Sequence, residues 1–314
     1  MKHIFVYNPA AGRSDDGIGH LKSNLKKYDG QLTYEIYHTT APGDATTFVR
    51  ARCEAEPDEA LRFYACGGDG TLNEVVSGAV GMKNASVGCY ATGSGNDFVK
   101  VYGGKERFLD PRALMEADEE EIDLIRIGEH YSINVTNFGF DTCVARTMIK
   151  VRRKKIIGGK NAYKTGLIKA ILTARRNKCT VEADGEVLNP KGKMLLCTIA
   201  NGQYVGGAFR CAPRADHRDG WLEVCLFKPV TLMRFLKLLG PYTEGKHLDD
   251  EKFADCMEYR RAKSVRVCAP EGFAYSLDGE IVEENEFVAE IAPKAIRFAV
   301  PAMPPEMTEG KSEA

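Results

Sequence analysis

The 314-residue sequence predicts two domains of different class: an N-terminal α/β domain on a parallel sheet, then a mainly antiparallel β-sandwich. Two observations carry this reading. Up to residue 125, short apolar runs alternate with helical patterns, and each run closes in a polar or glycine-rich turn. Beyond it, strand-like runs follow one another with only two helical interruptions.

In the first domain the expected strands cover 4–7, 33–38, 61–65 and 86–91, and the helices 17–27, 44–53 and 72–79. The closing turns are Asn8-Pro9-Ala10-Ala11-Gly12, the stretch 39–43, Gly67-Gly68-Asp69-Gly70, and Thr92-Gly93-Ser94-Gly95-Asn96. Ligands of such sheets bind beyond the carboxyl ends of the strands, so turns dispersed in sequence can share one site. The second domain is expected to hold strands over 131–138, 179–183, 193–200, 221–227, 264–268, 272–277 and 287–291, with helices over 142–175 and 231–246. A short strand over 295–300 is expected to return to the first domain. The domains are then 1–125 (completed by 295–302) and 126–294, followed by a disordered tail over 303–314, rich in Pro, Glu and Lys.

A net charge of −1 gives no global field toward nucleic acid or membrane, so any attraction must be local. No apolar run reaches the roughly 18 residues of a membrane-spanning helix. The first apolar run ends at Asn8-Pro9, too early for a signal-peptide core, and a cytoplasmic protein is expected. The ten scattered cysteines read as reduced, structural thiols.

The turn Gly67-Gly68-Asp69-Gly70-Thr71 follows an apolar strand and opens a helix at Leu72. Glycines there let the backbone approach a ligand closely, and helix-terminal amides favour phosphate. Asp69 adds a carboxylate that suits magnesium or a chain of water. No Gly-Lys-Ser/Thr ending is present, so this is not a Walker-type loop. A tight strand-to-helix turn would favour Gly and Asp for its own sake. A second such turn after the next strand, Gly93-Ser94-Gly95-Asn96-Asp97-Phe98, weakens that explanation.

These turns resemble the catalytic domain of diacylglycerol kinases, sphingosine kinases and the bacterial soluble lipid kinases. The opening 8–12 turn fits the same family, as do 134–139 with Asp141, Asn201 with Gly206-Gly207, and Asp278-Gly279-Glu280. The resemblance spans nearly the whole chain in order. It implies a three-layer first domain of the NAD kinase and phosphofructokinase type. It also implies an ATP- and magnesium-dependent kinase, most simply one converting diacylglycerol to phosphatidic acid in phospholipid synthesis. Asn8, Pro9, Ala10, Ala11 and Gly12 would lie against the nucleotide. Thr39, Gly67, Gly68, Asp69, Gly70, Thr71 and Leu72 would line the phosphates, with Ser94 a further contact.

Phosphoryl transfer also needs a group to accept the hydroxyl proton. On residue types alone, Asp278-Gly279 between two apolar runs reads as a hairpin turn. The resemblance implies instead that Asp278 is the general base, with Glu280 supporting it and Asp69 in the catalytic set. Asp216 and Asp219 precede another apolar run and could share one hard cation or form a solvated turn. The family pattern suggests structural magnesium held by Asp216, Asp219 and the carbonyl of Trp221.

From Arg146 to Lys178 there are 12 Lys or Arg and no acidic residue, with an apolar face at Leu167, Ile168, Ile171 and Leu172. This is read as peripheral contact with the inner membrane face, against a helical pair packed on its own domain. Tyr163 is its one aromatic residue, too few for a nucleic-acid partner. The expected partner is lipid substrate at the membrane surface, and a homodimer is compatible with it. His247 fits a family pattern at a helix end and is read as structural or capping. The rival readings are an NAD-kinase-like enzyme and an inactive lipid- or nucleotide-sensing module.

Overall fold

The computed structural model describes residues 1–11, 16–28, 30–140, 142–143, 146 and 177–303. Two units divide the chain, Met1–Ile122 with Lys294–Ala314, and Asp123–Pro293. The expected tail beyond 303 and nearly all of the basic stretch 146–178 lie outside the described residues, as do Gly12 and Asp141. No helix among the described residues is long and apolar enough to cross a membrane.

In the first unit, strands β1 (Lys2–Tyr7), β2 (Glu35–His38), β3 (Leu61–Gly67) and β4 (Ala85–Ala91) lie in the order β4-β3-β1-β2. All of these pairings are parallel. β3 and β4 are buried along their whole length, which is why they read as mainly apolar runs rather than alternating ones; Arg62, the one charge among them, pairs with Glu119 at 2.8 Å. Helices α1 (Asp16–Lys26), α2 (Asp44–Ala55), α3 (Asp69–Ala79) and α4 (Pro111–Met115) complete it, with α2 packed on α3. Parallel pairing puts the carboxyl ends of β1 to β4 on one edge, and there the four special turns lie.

The second unit is antiparallel. Its strands are the end of β5 (Asp118–Ile127), β6 (His130–Ser132), β7 (Val135–Gly139), β8 (Asn177–Lys178), β9 (Thr180–Ala183), β10 (Glu186–Val187), β11 (Lys193–Met194), β12 (Leu196–Ala200), β13 (Leu222–Phe227), β14 (Met257–Ala262), β15 (Ser264–Cys268), β16 (Ala274–Leu277), β17 (Glu280–Glu283) and most of β18 (Glu286–Val300). One sheet runs β14-β13-β12-β7-β16-β17, and the layer facing it runs β10-β9-β15-β18. Phe138, Ile199 and Val224 from the first meet Val181, Val265 and Ala289 from the second in a shared core. On the outer face, helix α5 (Leu232–Thr243) buries Phe235, Leu238 and Tyr242 against Val135, Leu196 and Phe227.

Four differences from the sequence reading have local causes. The run 131–138 is two strands, because the backbone between β6 and β7 turns its amides toward a carboxylate described below. The strands expected over 287–291 and 295–300 are one strand, β18, and its Phe298 pairs in parallel with Val87 in the first unit. β5 was hidden by its opening Asp118-Glu119-Glu120-Glu121, residues that disfavour strands on their own. The first helical turn of α3 begins at Asp69, three residues before the apolar pattern starts.

Candidate functional site

In the first unit, Asn8 continues the β1 ladder with a hydrogen bond from its amide to the Cys66 carbonyl, 3.2 Å. Its side-chain oxygen accepts from the Ala10 amide at 2.9 Å, and its Nδ2 donates to Thr71 Oγ1 at 3.1 Å. One asparagine therefore shapes the turn 8–11 and ties it to the first turn of α3. The Thr39 amide donates to the Tyr7 carbonyl at 2.9 Å, which puts the end of β2 beside the same turn.

Gly68 caps α3 in extended conformation with no side-chain hydrogen bond. A helix start of this kind turns main-chain amides and the positive end of the dipole toward a ligand rather than toward its own cap. The next turn lies directly on it. The Gly93 amide donates to the Gly67 carbonyl at 2.8 Å, and Asn96 Nδ2 to the same oxygen at 3.1 Å. A Cβ on Gly93 would sit 2.3 Å from the Cα of Gly68, so only glycine permits this approach. A Cβ on Gly95 would lie 2.8 Å from Asp69 Oδ2, while Asp69 Oδ1 accepts from the Asp97 amide at 2.6 Å. Asp97 is itself paired with Lys100 at 2.5 Å. Asp69, Asp97 and Lys100 thus form one charged corner of the cradle.

Of the residues expected there, Asn8, Ala11, Thr39, Gly67, Gly68, Asp69, Gly70 and Thr71 come together on this edge. Pro9, Ala10 and Ser94 are exposed beside them, so Ser94 presents its hydroxyl to solvent. The Leu72 side chain is buried, and only its backbone could face a ligand. Asn96 and Asp97 were not singled out as site residues, although they stand inside the quoted Gly-Ser-Gly-Asn-Asp-Phe motif.

In the second unit, Asp278 and Gly279 form the two-residue loop between β16 and β17, with φ of 47° and 96°. Both values are positive, as a type I′ hairpin demands. The Asp278 carboxylate accepts from Ser132 Oγ (2.7 Å) and from the amides of Ile133 (2.8 Å), Asn134 (3.2 Å) and Val135 (2.9 Å). This is the carboxylate that interrupts the strand expected over 131–138. Glu280 opens β17 with its side chain exposed.

The same backbone segment leads to the acidic loop. Asn201 Nδ2 donates to the Ile133 carbonyl at 2.8 Å and to the Asp123 carbonyl at 2.7 Å. Asp123 is buried; its amide donates to the His217 carbonyl at 2.7 Å and its Oδ2 accepts from the Gly220 amide at 2.6 Å. Sequence reasoning missed Asp123, because nothing local marks a lone acid between Ile122 and Leu124.

Within that loop, the Asp219 amide donates to the Asp216 carbonyl at 3.3 Å, so both carboxylates stand on one turn. Asp216 Oδ1 accepts from the Arg218 amide and Nε, and Asp219 accepts from the Trp221 amide and pairs with Arg261. No group of three or more His, Cys, Asp or Glu placed to hold a metal ion occurs among the described residues. Two partly exposed carboxylates and a nearby carbonyl are hard oxygen donors, a set that fits magnesium keeping several waters. Both arginine side chains compete for it. Beside this loop, burial raises the Glu223 carboxyl above its usual range.

His247 is fully buried beside Phe227, Tyr242 and Phe253, and burial lowers its pKa to about 4. It lies past the end of α5 and packs there rather than capping it.

Residues 2–127 match the diacylglycerol kinase catalytic domain, and residues 134–300 match the YegS C-terminal NAD kinase beta sandwich-like domain. A diacylglycerol kinase of Bacillus subtilis (strain 168) is 30% identical, the match covering 88% of each chain. A "Probable lipid kinase YegS-like" of Yersinia enterocolitica is 27% identical, covering 96% of this chain and 98% of that one. The crystal structure of a diacylglycerol kinase from Bacillus anthracis str. Sterne shares the fold at a TM-score of 0.66 and 18% identity, covering 95% of this chain and 96% of that one. The chain belongs to the diacylglycerol kinase and YegS family of lipid kinases.

Proposed function

We propose that the chain transfers the γ-phosphoryl group of ATP to the free hydroxyl of diacylglycerol, giving phosphatidic acid and ADP. The observation that carries the reading is the convergence of turns 8–11, 67–71 and 93–97 around the start of α3, which no side chain caps. Main-chain amides, a helix dipole and glycine-enforced close approach are what a polyphosphate needs, and catalysis of phosphoryl transfer is largely positioning and charge stabilisation.

In the proposed step the acceptor oxygen bonds to the γ-phosphorus as the bond to the β–γ bridging oxygen breaks. The hydroxyl proton passes to Asp278, with Glu280 in support, and ADP leaves. The hydrogen bonds from 132–135 support this role by holding the Asp278 carboxylate in one orientation, and a base must be positioned before its pKa matters. Magnesium travelling with ATP would neutralise phosphate charge, and a second ion held by Asp216, Asp219 and the Trp221 carbonyl would order the acidic loop.

The test is incubation of the purified protein with labelled ATP, magnesium and a panel of micelle-dispersed lipids, with NAD as a soluble control. Labelling of diacylglycerol above phosphatidylglycerol, ceramide, sphingoid bases and undecaprenol is expected. Labelling of NAD in place of every lipid would sink the proposal.

A further inference from the structure

Helix α5 carries apolar side chains on two faces, and among the described residues only one of them is packed into the core. Phe235, Leu238 and Tyr242 point inward, at the spacing of a core-facing stripe. On the opposite side, Met233 is 67% exposed and Leu236 51% exposed. Met233 is the most exposed large apolar side chain among the described residues. With Lys237 and Gly240 these positions make the i, i+3, i+4, i+7 pattern of a second face. No acidic residue lies in the helix. Arg234 at its edge is engaged with Asp255, whereas Lys237 stands on the apolar face itself.

We infer that this face docks on an anionic phospholipid bilayer, with Met233 and Leu236 in the headgroup–acyl boundary and Lys237 reaching the headgroups. The inference rests on the lipid-kinase reading, since such an enzyme must collect its acceptor from a membrane. Charge decides among occupants. In a two-fold dimer through this face the same patch meets itself, and Lys237 would be covered by a helix that offers it no acidic partner. A bilayer accepts the two apolar side chains while the lysine stem extends along them to phosphate. Each basic residue near an anionic surface adds attraction that salt weakens.

Two variants of the full chain test this, Met233→Ser/Leu236→Ser and Lys237→Glu, by co-sedimentation with vesicles of phosphatidylcholine alone or with about 30% phosphatidylglycerol. The parent should bind the anionic vesicles, and the double variant should partition at least about 10-fold more weakly. Lys237→Glu should lose preference for the anionic vesicles. All three should melt together and phosphorylate a dispersed short-chain acceptor at equal rates. Three results overturn the docking face: a parent that binds neither vesicle, variants that bind as the parent does, or a parent dimer that the double variant dissociates. Absence of lipid phosphorylation by the parent would instead count against the kinase reading, because vesicle binding is read without catalysis.

Discussion

Replacing Asp278 by alanine and by asparagine separates the two tasks assigned to it. The Ser132 hydroxyl and three main-chain amides donate to its carboxylate, and all four donor residues are buried. Alanine leaves those donors without their acceptor. A buried donor left unpaired costs about 1–3 kcal/mol, and water can reach part of this half-buried site, so the sum should lie near 3–5 kcal/mol. For a unit of this size that lowers Tm by roughly 6–20 °C. Asparagine keeps the shape and one acceptor oxygen but turns an NH2 toward part of the donor set, which should cost about 1–3 kcal/mol. Neither residue can take the hydroxyl proton, so both should lower kcat by about 10²- to 10⁴-fold. Thermal melting followed with and without ATP, beside turnover on micellar diacylglycerol, reads both effects. An asparagine variant that keeps more than about a tenth of parental turnover would refute the proton-acceptor role. An alanine variant that melts with the parent would refute the anchoring.

Two further outcomes follow from single contacts. Gly93→Ala places a methyl group 2.3 Å from the Cα of Gly68 and must push the two cradle turns apart, so ATP affinity should fall at least about 10-fold while the second unit melts unchanged. Titration calorimetry with a non-hydrolysable ATP analogue would check it, and unchanged affinity would remove Gly93 from the cradle. Burial holds His247 neutral in the folded chain, with its pKa lowered to about 4, whereas the unfolded chain takes up that proton near 6.5. The unfolded state therefore binds more protons between those values, so this residue's contribution is complete above about pH 6.5 and is lost as pH falls toward 4, by roughly 2–3 kcal/mol. His247→Phe should flatten that part of the pH–Tm curve, and a curve as steep as the parent's would count against the assignment.

The sequence told most where chemistry and backbone conformation are local. Strands β3 and β4 and the Ile4–Tyr7 stretch of β1 are rich in apolar residues because they are buried, and their turns needed glycine where backbones nearly touch, as Gly93 does on Gly68. Both features are written in consecutive residues. What it could not show is who pairs with whom across long separations. Asp278 is separated by 143 residues from Val135 and by 146 from Ser132, and no pattern around either stretch names the other. The same holds for Asp123, whose backbone and side chain fix the loop at 217–220 from 97 residues away. Residue types alone gave Asp278 a hairpin turn, and the resemblance gave it a catalytic role. The observed geometry makes these compatible: the type I′ loop lifts the residue to a positive φ of 47°, and that conformation aims its carboxylate at the amides of 132–135. Four hydrogen bonds hold this carboxylate toward 132–135, so the proton-transfer role proposed for it depends on where the turn places it. That is why the asparagine variant, which preserves the turn and removes the proposed proton acceptor, is the more informative of the two.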